Sequence, residues 1–390
     1  MDPRLNPYAP GAGVKPPELA GRKALLERAA VALDRIRADR PARGLMLYGL
    51  RGVGKTVLLN EMRLEAESRG IVAIAMEAPE QRSLPAFLIP ALRQALLRLS
   101  RLESLRARAL GVLAAFAKAL KVKYADIEVN LDVSPVQGVA DSGDLERDLS
   151  ELLSEIGKAA KSGATAFGMF IDELQYVEER QLGALIAAIH HTSQLREPVA
   201  IVGAGLPQLL GLAGRAKSYS ERLFEFVEVD KLSPDDARLA LCLPAEKEDV
   251  RFEDVAVAEV LAQTQGYPYF LQEWGKHCWD VAEASPINLA DARTASERAI
   301  AELDASFFRV RFDRLTPQEK AYLRAMAELG AGPYRSGDVA NRLGRMVTAV
   351  APTRAALIAK GMAYSPAHGD IAFTVPLFDG FMRRSMTLPP

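Results

Sequence analysis

The octapeptide Gly49-Leu50-Arg51-Gly52-Val53-Gly54-Lys55-Thr56 constrains this chain more than any other stretch. It matches G-x-x-x-x-G-K-T, the phosphate-cradling P-loop. The five residues before it, Gly44-Leu45-Met46-Leu47-Tyr48, form a short apolar run of the kind a buried parallel strand requires. The residues after it, from Val57 to Arg63, read as a helix. Strand, glycine loop and helix together are the context the motif needs. The glycines let backbone wrap closely around an anion, and the loop amides and helix N-terminus point at it. Residues Gly49 to Val57 are therefore the expected contacts of ATP. Lys55 is expected to reach the β- and γ-phosphates, and Thr56 to ligate Mg²⁺.

A second chemical motif lies downstream. Phe167-Gly168-Met169-Phe170-Ile171 is an apolar strand that ends in Asp172-Glu173. Two acids at a strand end are unremarkable alone, and solvated carboxylates are the plain alternative. Following a P-loop, they take the places of a magnesium-shell carboxylate (Asp172) and a general base that polarises the attacking water (Glu173). The next apolar run, Pro198 to Gly205, ends in Gly203-Ala204-Gly205. It offers no side chain to sense a γ-phosphate, and Gln208 is the nearest polar residue. The stretch Ser218 to Val229 reads as a last strand. Arg222, just before it, fits an arginine finger reaching a neighbouring subunit, or a surface arginine paired with an acid; Arg215 is the alternative finger.

Bulk properties narrow the class. The chain has 390 residues, long enough for two or three domains, and a net charge of −1, which excludes a global basic field. Its two cysteines, Cys242 and Cys278, have neither metal spacing nor a disulfide framework and read as small buried residues. No apolar run reaches membrane-spanning length, and the N-terminus has prolines where a signal peptide has an apolar core. A cytoplasmic protein with no membrane partner is expected.

Around these motifs the chain reads as follows. Residues 1–18 form an extended, proline-rich arm, and an amphipathic helix follows Arg22. Ile71 to Met76 is a second core strand, and Ser83 to about Leu120 is almost all helix. Asp126 to Val133 alternates strictly and reads as a half-buried strand with an acidic outer face. Asp141 to Ala160 is a helix, capped by Asp141, Ser142 or Asp144. Ser233-Pro234 and Thr316-Pro317-Gln318-Glu319 are helix starts, the second a capping box. Three helices after Thr316 and a hairpin around His368-Gly369-Asp370 make a winged helix-turn-helix pattern. Residues 316–390 hold nine lysines and arginines against five acids, +4, which leaves −5 for the remainder. Arg354 and Lys360 on the third helix, with Arg345 before it, are the expected contacts to duplex DNA. A winged helix that docks proteins is the other reading.

P-loop, Asp-Glu strand end, helical segment and winged helix together resemble the AAA+ ATPases. The likeness is to the branch of archaeal-type ATPases, origin-recognition initiators and STAND signalling ATPases. The resemblance implies an α/β fold: a P-loop NTPase αβα sandwich on a parallel sheet, with a helical lid and a C-terminal winged helix-turn-helix. It places the core at 19–229 with an insert near 81–140, the lid at 230–305 and the winged helix at 306–390. It also implies that Leu19, Gly21 and Arg22 pack against adenine, and that Gly266-Tyr267-Pro268 faces the nucleotide. The lid turn has Tyr267-Pro268 where many relatives have arginine, similar to the Gly-x-Pro turn of STAND proteins. With the glycine-ended sensor strand, this points to a slow ATP/ADP switch, whose STAND-like alternative would form a nucleotide-dependent homo-oligomer. Its output is DNA contact or, alternatively, a protein partner in signalling or defence. A metabolic kinase would leave lid and winged helix unexplained.

Overall fold

The structure, a computed structural model, describes residues 1–99, 103–127 and 133–386. The chain divides into two compact units, one of residues 22–48 and 55–228, the other of residues 1–21, 49–54 and 229–390.

The first unit is built on a five-stranded parallel sheet. Its strands are β1 (Gly44–Tyr48), β2 (Val72–Glu77), β3 (Phe167–Asp172), β4 (Val199–Gly205) and β5 (Phe224–Glu228), in the order β2-β3-β4-β1-β5. The central strands β3 and β4 are buried along their whole length, which is why their sequences are continuous apolar runs and not alternating ones. The edge strands carry the exceptions: Glu77 ends β2, and Glu225 and Glu228 lie on β5. Helices α1 (Lys23–Arg37), α2 (Lys55–Ser68), α3 (Leu84–Leu99), α4 (Glu103–Leu120), α5 (Leu145–Ser162), α6 (Glu179–Gln194), α7 (Gln208–Ala216) and α8 (Ser220–Leu223) complete the unit. Parallel sheet and flanking helices make the expected P-loop NTPase α/β fold.

Strand order sets the site. β1, which feeds the glycine loop, and β3, which ends in Asp172, both pair with β4. Their C-terminal ends therefore stand about 10 Å apart, two strand spacings, with the end of β4 between them. That gap is wide enough for phosphate and ion, and ligands of open α/β sheets bind at this edge.

Local chemistry accounts for the helix ends. Asp144 caps α5 by accepting from the Arg147 N–H at 2.9 Å. Asp148, fully buried, accepts from the Ser142 hydroxyl at 2.6 Å and from the Gly143 N–H at 2.8 Å. These bonds fold residues 142–144 into a turn, so α5 starts at Leu145 rather than Asp141. Asp126 accepts from both the N–H and hydroxyl of Ser83, at 2.7 and 2.8 Å, and so holds the entry to α3. The strand expected over 126–133 cannot be placed: residues 128–132 lie outside the described residues, and Asp126 and Ile127 are not in a strand. The last core strand is also shorter than expected, because Ser220–Leu223 is a helical turn and β5 begins only at Phe224.

The second unit is mostly helical: α9 (Pro234–Glu246), α10 (Asp254–Thr264), α11 (Pro268–Val281), α12 (Leu289–Ala305) and α13 (Phe307–Asp313). Ser233 caps α9, and Thr316 and Glu319 close a capping box at α14 (Pro317–Glu328), both as the sequence requires. α15 (Ser336–Arg342) and α16 (Val347–Ala359) follow, then α17 (Phe378–Ser385). Short strands β6 (Tyr334–Arg335), β7 (Ala363–Tyr364) and β8 (Asp370–Phe373) pair antiparallel in the order β6-β8-β7.

The N-terminal arm is not simply extended. It opens with a 3-10 turn at Pro3–Leu5, and Tyr8 is buried. The Tyr8 hydroxyl donates to the Leu241 carbonyl, and the Trp279 indole N–H donates to the Asp2 carbonyl at 2.9 Å. Gly275 on α11 makes room for the tyrosine ring, since a Cβ there would sit 2.5 Å from Tyr8 Cδ1.

Candidate functional site

The site residues of the first unit begin at Lys55, the first residue of α2, which is 8% exposed. One residue on, the Thr56 hydroxyl donates to Asp172 Oδ2 at 2.6 Å. The P-loop threonine and the first strand-end acid, 116 residues apart in sequence, therefore meet. A hydroxyl oxygen beside a carboxylate is a hard-donor pair of the kind Mg²⁺ takes.

Glu173 has φ 54° and ψ 33°, in the left-handed region. A non-glycine residue rarely occupies it, at a cost of about 1–3 kcal/mol. The Glu173 N–H donates to Asp172 Oδ1 at 2.8 Å, which helps to hold the turn. The turn swings the chain off β3 into a 3-10 turn, Leu174–Tyr176, and brings Gln175 back over the strand end. The Gln175 amide N–H donates to Glu173 Oε2, while its Oε1 accepts from the Leu206 N–H at 2.9 Å. The second bond orients the amide so that its donor end faces Glu173.

Gln175 was not singled out by sequence reasoning. The signal that could have found it is the glycine-ended β4. A Cβ on Gly205 would lie 2.7 Å from Gln175 Oε1, so the bare position is where the glutamine sits. Gly203 is bare for another reason: its Cβ would meet Leu174 Cδ1 at 2.4 Å and Met46 Sδ at 2.5 Å. The strand end lacks a polar side chain because residues of the 174–176 turn fill the space. Gln208, the nearest polar residue after the strand, starts α7 with its Oε1 buried and without a hydrogen-bond partner.

The glycine loop itself, residues 49–54, belongs to the second unit. Gly52 and Gly54 have φ of +82° and +92°. Gly49 has no room for a side chain, since its Cβ would lie 2.0 Å from the Val229 carbonyl oxygen. The Arg51 N–H donates to the Thr374 carbonyl at 2.9 Å, and the Gly52 carbonyl accepts from the Tyr269 N–H at 3.1 Å. Leu50 is half-buried and Val53 buried; Val57 on α2 is half-buried.

Of the residues assigned to adenine, Leu19 is half-buried, and Gly21 has φ +69° with its Cα against Asp236. Arg22 is the N-cap of α1, and Pro268 is the first residue of α11. Gly266, φ +76°, lies against Leu232, whose N–H donates to the Gly266 carbonyl at 2.9 Å. Arg222 is exposed on α8, and Arg215 pairs with Glu179 at 2.9 Å.

The three residues assigned to DNA are not alike. Arg354 points inward, donating to Ser336 Oγ at 3.1 Å and to Ser365 Oγ and the Asp370 carbonyl at 2.8 Å. Lys360 falls one residue beyond α16, where it pairs with Glu319 at 2.8 Å. Burial of Glu319 opposes ionisation, but the bonds from Lys360 and Thr316 outweigh it and hold the carboxyl below its usual range. Arg345 is exposed in the loop before α16, beside exposed Met346 and Val347.

The AAA ATPase domain family matches residues 18–202, and a domain of unknown function, DUF8462, matches residues 305–382. No curated protein matches the chain. Among solved structures, the Walker-type ATPase PABY2304 of Pyrococcus abyssi superposes with a TM-score of 0.58 at 16% identity, covering 94% of this chain and 96% of that one. The ADP form of the Aeropyrum pernix ORC2 protein gives a TM-score of 0.53 at 14% identity, with 98% of each chain covered. Both share the fold of this chain.

Proposed function

We propose that this chain, whose residues 18–202 match the AAA ATPase domain family, is a P-loop ATPase that works as a slow nucleotide-dependent switch. One observation carries the reading: the glycine loop is bonded through its own backbone to Tyr269 at the start of α11 and to Thr374 just after β8. A loop that must close on phosphates has first to rearrange these bonds. Nucleotide then shifts the C-terminal region between states by its differential contacts with them.

In the proposed mechanism the loop amides and Lys55 bind the β- and γ-phosphates. Thr56 and Asp172 fit a magnesium ion, which when bound neutralises charge on the phosphates. Glu173 accepts the proton of the attacking water as its oxygen bonds to the γ-phosphorus and the β–γ bridge breaks, giving ADP and phosphate. Gln175 holds Glu173 back between turnovers, which supports the slow rate. Leu19, Gly21 and Arg22 are proposed to flank the base, and Pro268 to face the nucleotide. Arg222, exposed, is free in geometry to serve a neighbouring copy if nucleotide drives assembly.

The output of the switch has two readings. Seven of the nine basic residues beyond Thr316 lie beside acids or carbonyls of their own unit; Arg335, Arg342 and Arg384, for example, pair with Asp370, Glu328 and Asp304. Of the two others, Lys320 lies over the Phe312 ring, and Arg345 stands beside an apolar pair. A mixed surface of this kind favours a protein partner. Duplex DNA, favoured by the charge count alone, retains Arg345 in the loop just before the helix that such domains lay in the major groove.

ATP turnover with and without duplex DNA, with Glu173→Gln as the blank, tests both levels. Turnover abolished in the blank supports the ATPase mechanism, and turnover unchanged in the blank sinks it. Stimulation by DNA that Arg345→Glu removes selects the DNA reading. Indifference to DNA selects the protein partner.

A further inference from the structure

α11 carries Glu273 and His277, four residues apart and so on one face. α12 packs beside it and brings in Glu302, whose Oε2 lies 3.1 Å from His277 Nε2. One ligand atom from each residue falls within 4.8 Å of the others. Glu273 is 6% and His277 8% exposed, while Glu302 is exposed. Buried apolar residues of α11, Phe270, Trp274 and Cys278, flank the pair.

Two polar atoms of this cluster are buried without a hydrogen bond, Glu273 Oε2 and His277 Nε2. Leaving a buried acceptor unsatisfied is costly, so each such atom requires a reason. Glu273 Oε1 accepts from the Tyr269 hydroxyl at 3.1 Å, and Lys276 donates to both Glu302 oxygens, Oε1 at 3.2 Å and Oε2 at 3.5 Å.

We propose that Glu273, His277 and Glu302 form a binding site for one divalent cation of the zinc class, joining α11 to α12. One imidazole nitrogen and two carboxylate oxygens are a donor set zinc accepts, with a fourth position left to water on the side where Glu302 meets solvent. Magnesium, which takes oxygen donors and keeps its waters, is disfavoured. The site uses none of the residues assigned to nucleotide, although Tyr269, which bonds Glu273, also bonds Gly52 of the glycine loop.

The test is a calorimetric titration of the nucleotide-free full chain with Zn²⁺ alone, in a Cys242→Ser background so that the part-exposed thiol does not contribute. One equivalent bound, with a rise in melting temperature, is expected. Glu302→Gln, at an exposed position the fold tolerates, is expected to weaken binding at least about tenfold. His277→Gln is expected to do the same, and Asp172→Asn to leave it unchanged. No bound equivalent, or unaltered affinity in Glu302→Gln, overturns the site. Millimolar Mg²⁺ giving the same melting shift as Zn²⁺ overturns the assignment of the ion.

Discussion

The Thr56 hydroxyl donates to Asp172 Oδ2 at 2.6 Å, a bond that joins the first turn of α2 to the end of β3. The pair places two hard oxygen donors between the C-terminal ends of β1 and β3. Replacing either removes one donor and leaves the other without its partner. Thr56→Ala and Asp172→Asn are therefore expected to raise the Mg²⁺ concentration needed for half-maximal ATP turnover by about 10–100-fold. A magnesium titration of turnover checks this, and an unchanged requirement in both variants contradicts the assignment.

Gln175 donates to the carboxylate that is proposed to take the proton from water. A hydrogen bond to a charged group is worth about 1.5–3 kcal/mol. Removing it takes away a donor that must let go before the Glu173 carboxylate can engage water. Gln175→Ala is expected to increase single-turnover hydrolysis by up to about tenfold, with ATP affinity unchanged. A fall in rate would instead make Gln175 a group that positions Glu173 for reaction.

The contrast between Thr56 and Gln175 shows what sequence could and could not deliver. The P-loop, the Asp172-Glu173 strand end, the Ser233 cap and the Thr316 capping box are all local patterns. Each names the backbone it needs within a few residues, and strand order then follows from the P-loop fold. Gln175 depends on a left-handed Glu173, on the Leu206 N–H 31 residues away and on a bare Gly205. Nothing at position 175 itself announces this. Tyr8 is legible only once Gly275 and Leu241 are known to face it. Arg354 and Lys360 illustrate the reverse error. Position on a helix suggested free cations, whereas Ser336, Asp370 and Glu319, brought in by the tertiary fold, already engage them.

Glu197 lies just before β4, its Oε1 accepting from Ser154 Oγ at 2.8 Å and its Oε2 buried without a hydrogen bond. Burial raises the Glu197 carboxyl above its usual range, and the Ser154 bond and the nearby positive charges do not offset it. A raised folded value means that the folded chain holds this proton more tightly than the unfolded chain. The favourable contribution is present below the unfolded value of about 4.3 and is lost as pH rises through the folded one. Glutamine keeps the acceptor that Ser154 uses and carries no charge to bury. Glu197→Gln is thus expected to stabilise the chain at pH 7 by on the order of 1 kcal/mol, with the advantage disappearing near pH 4. Urea unfolding at the two pH values measures it. A variant less stable at pH 7, or a difference that does not vary with pH, would mean that the lost carboxylate was making a favourable interaction that its buried oxygen does not reveal.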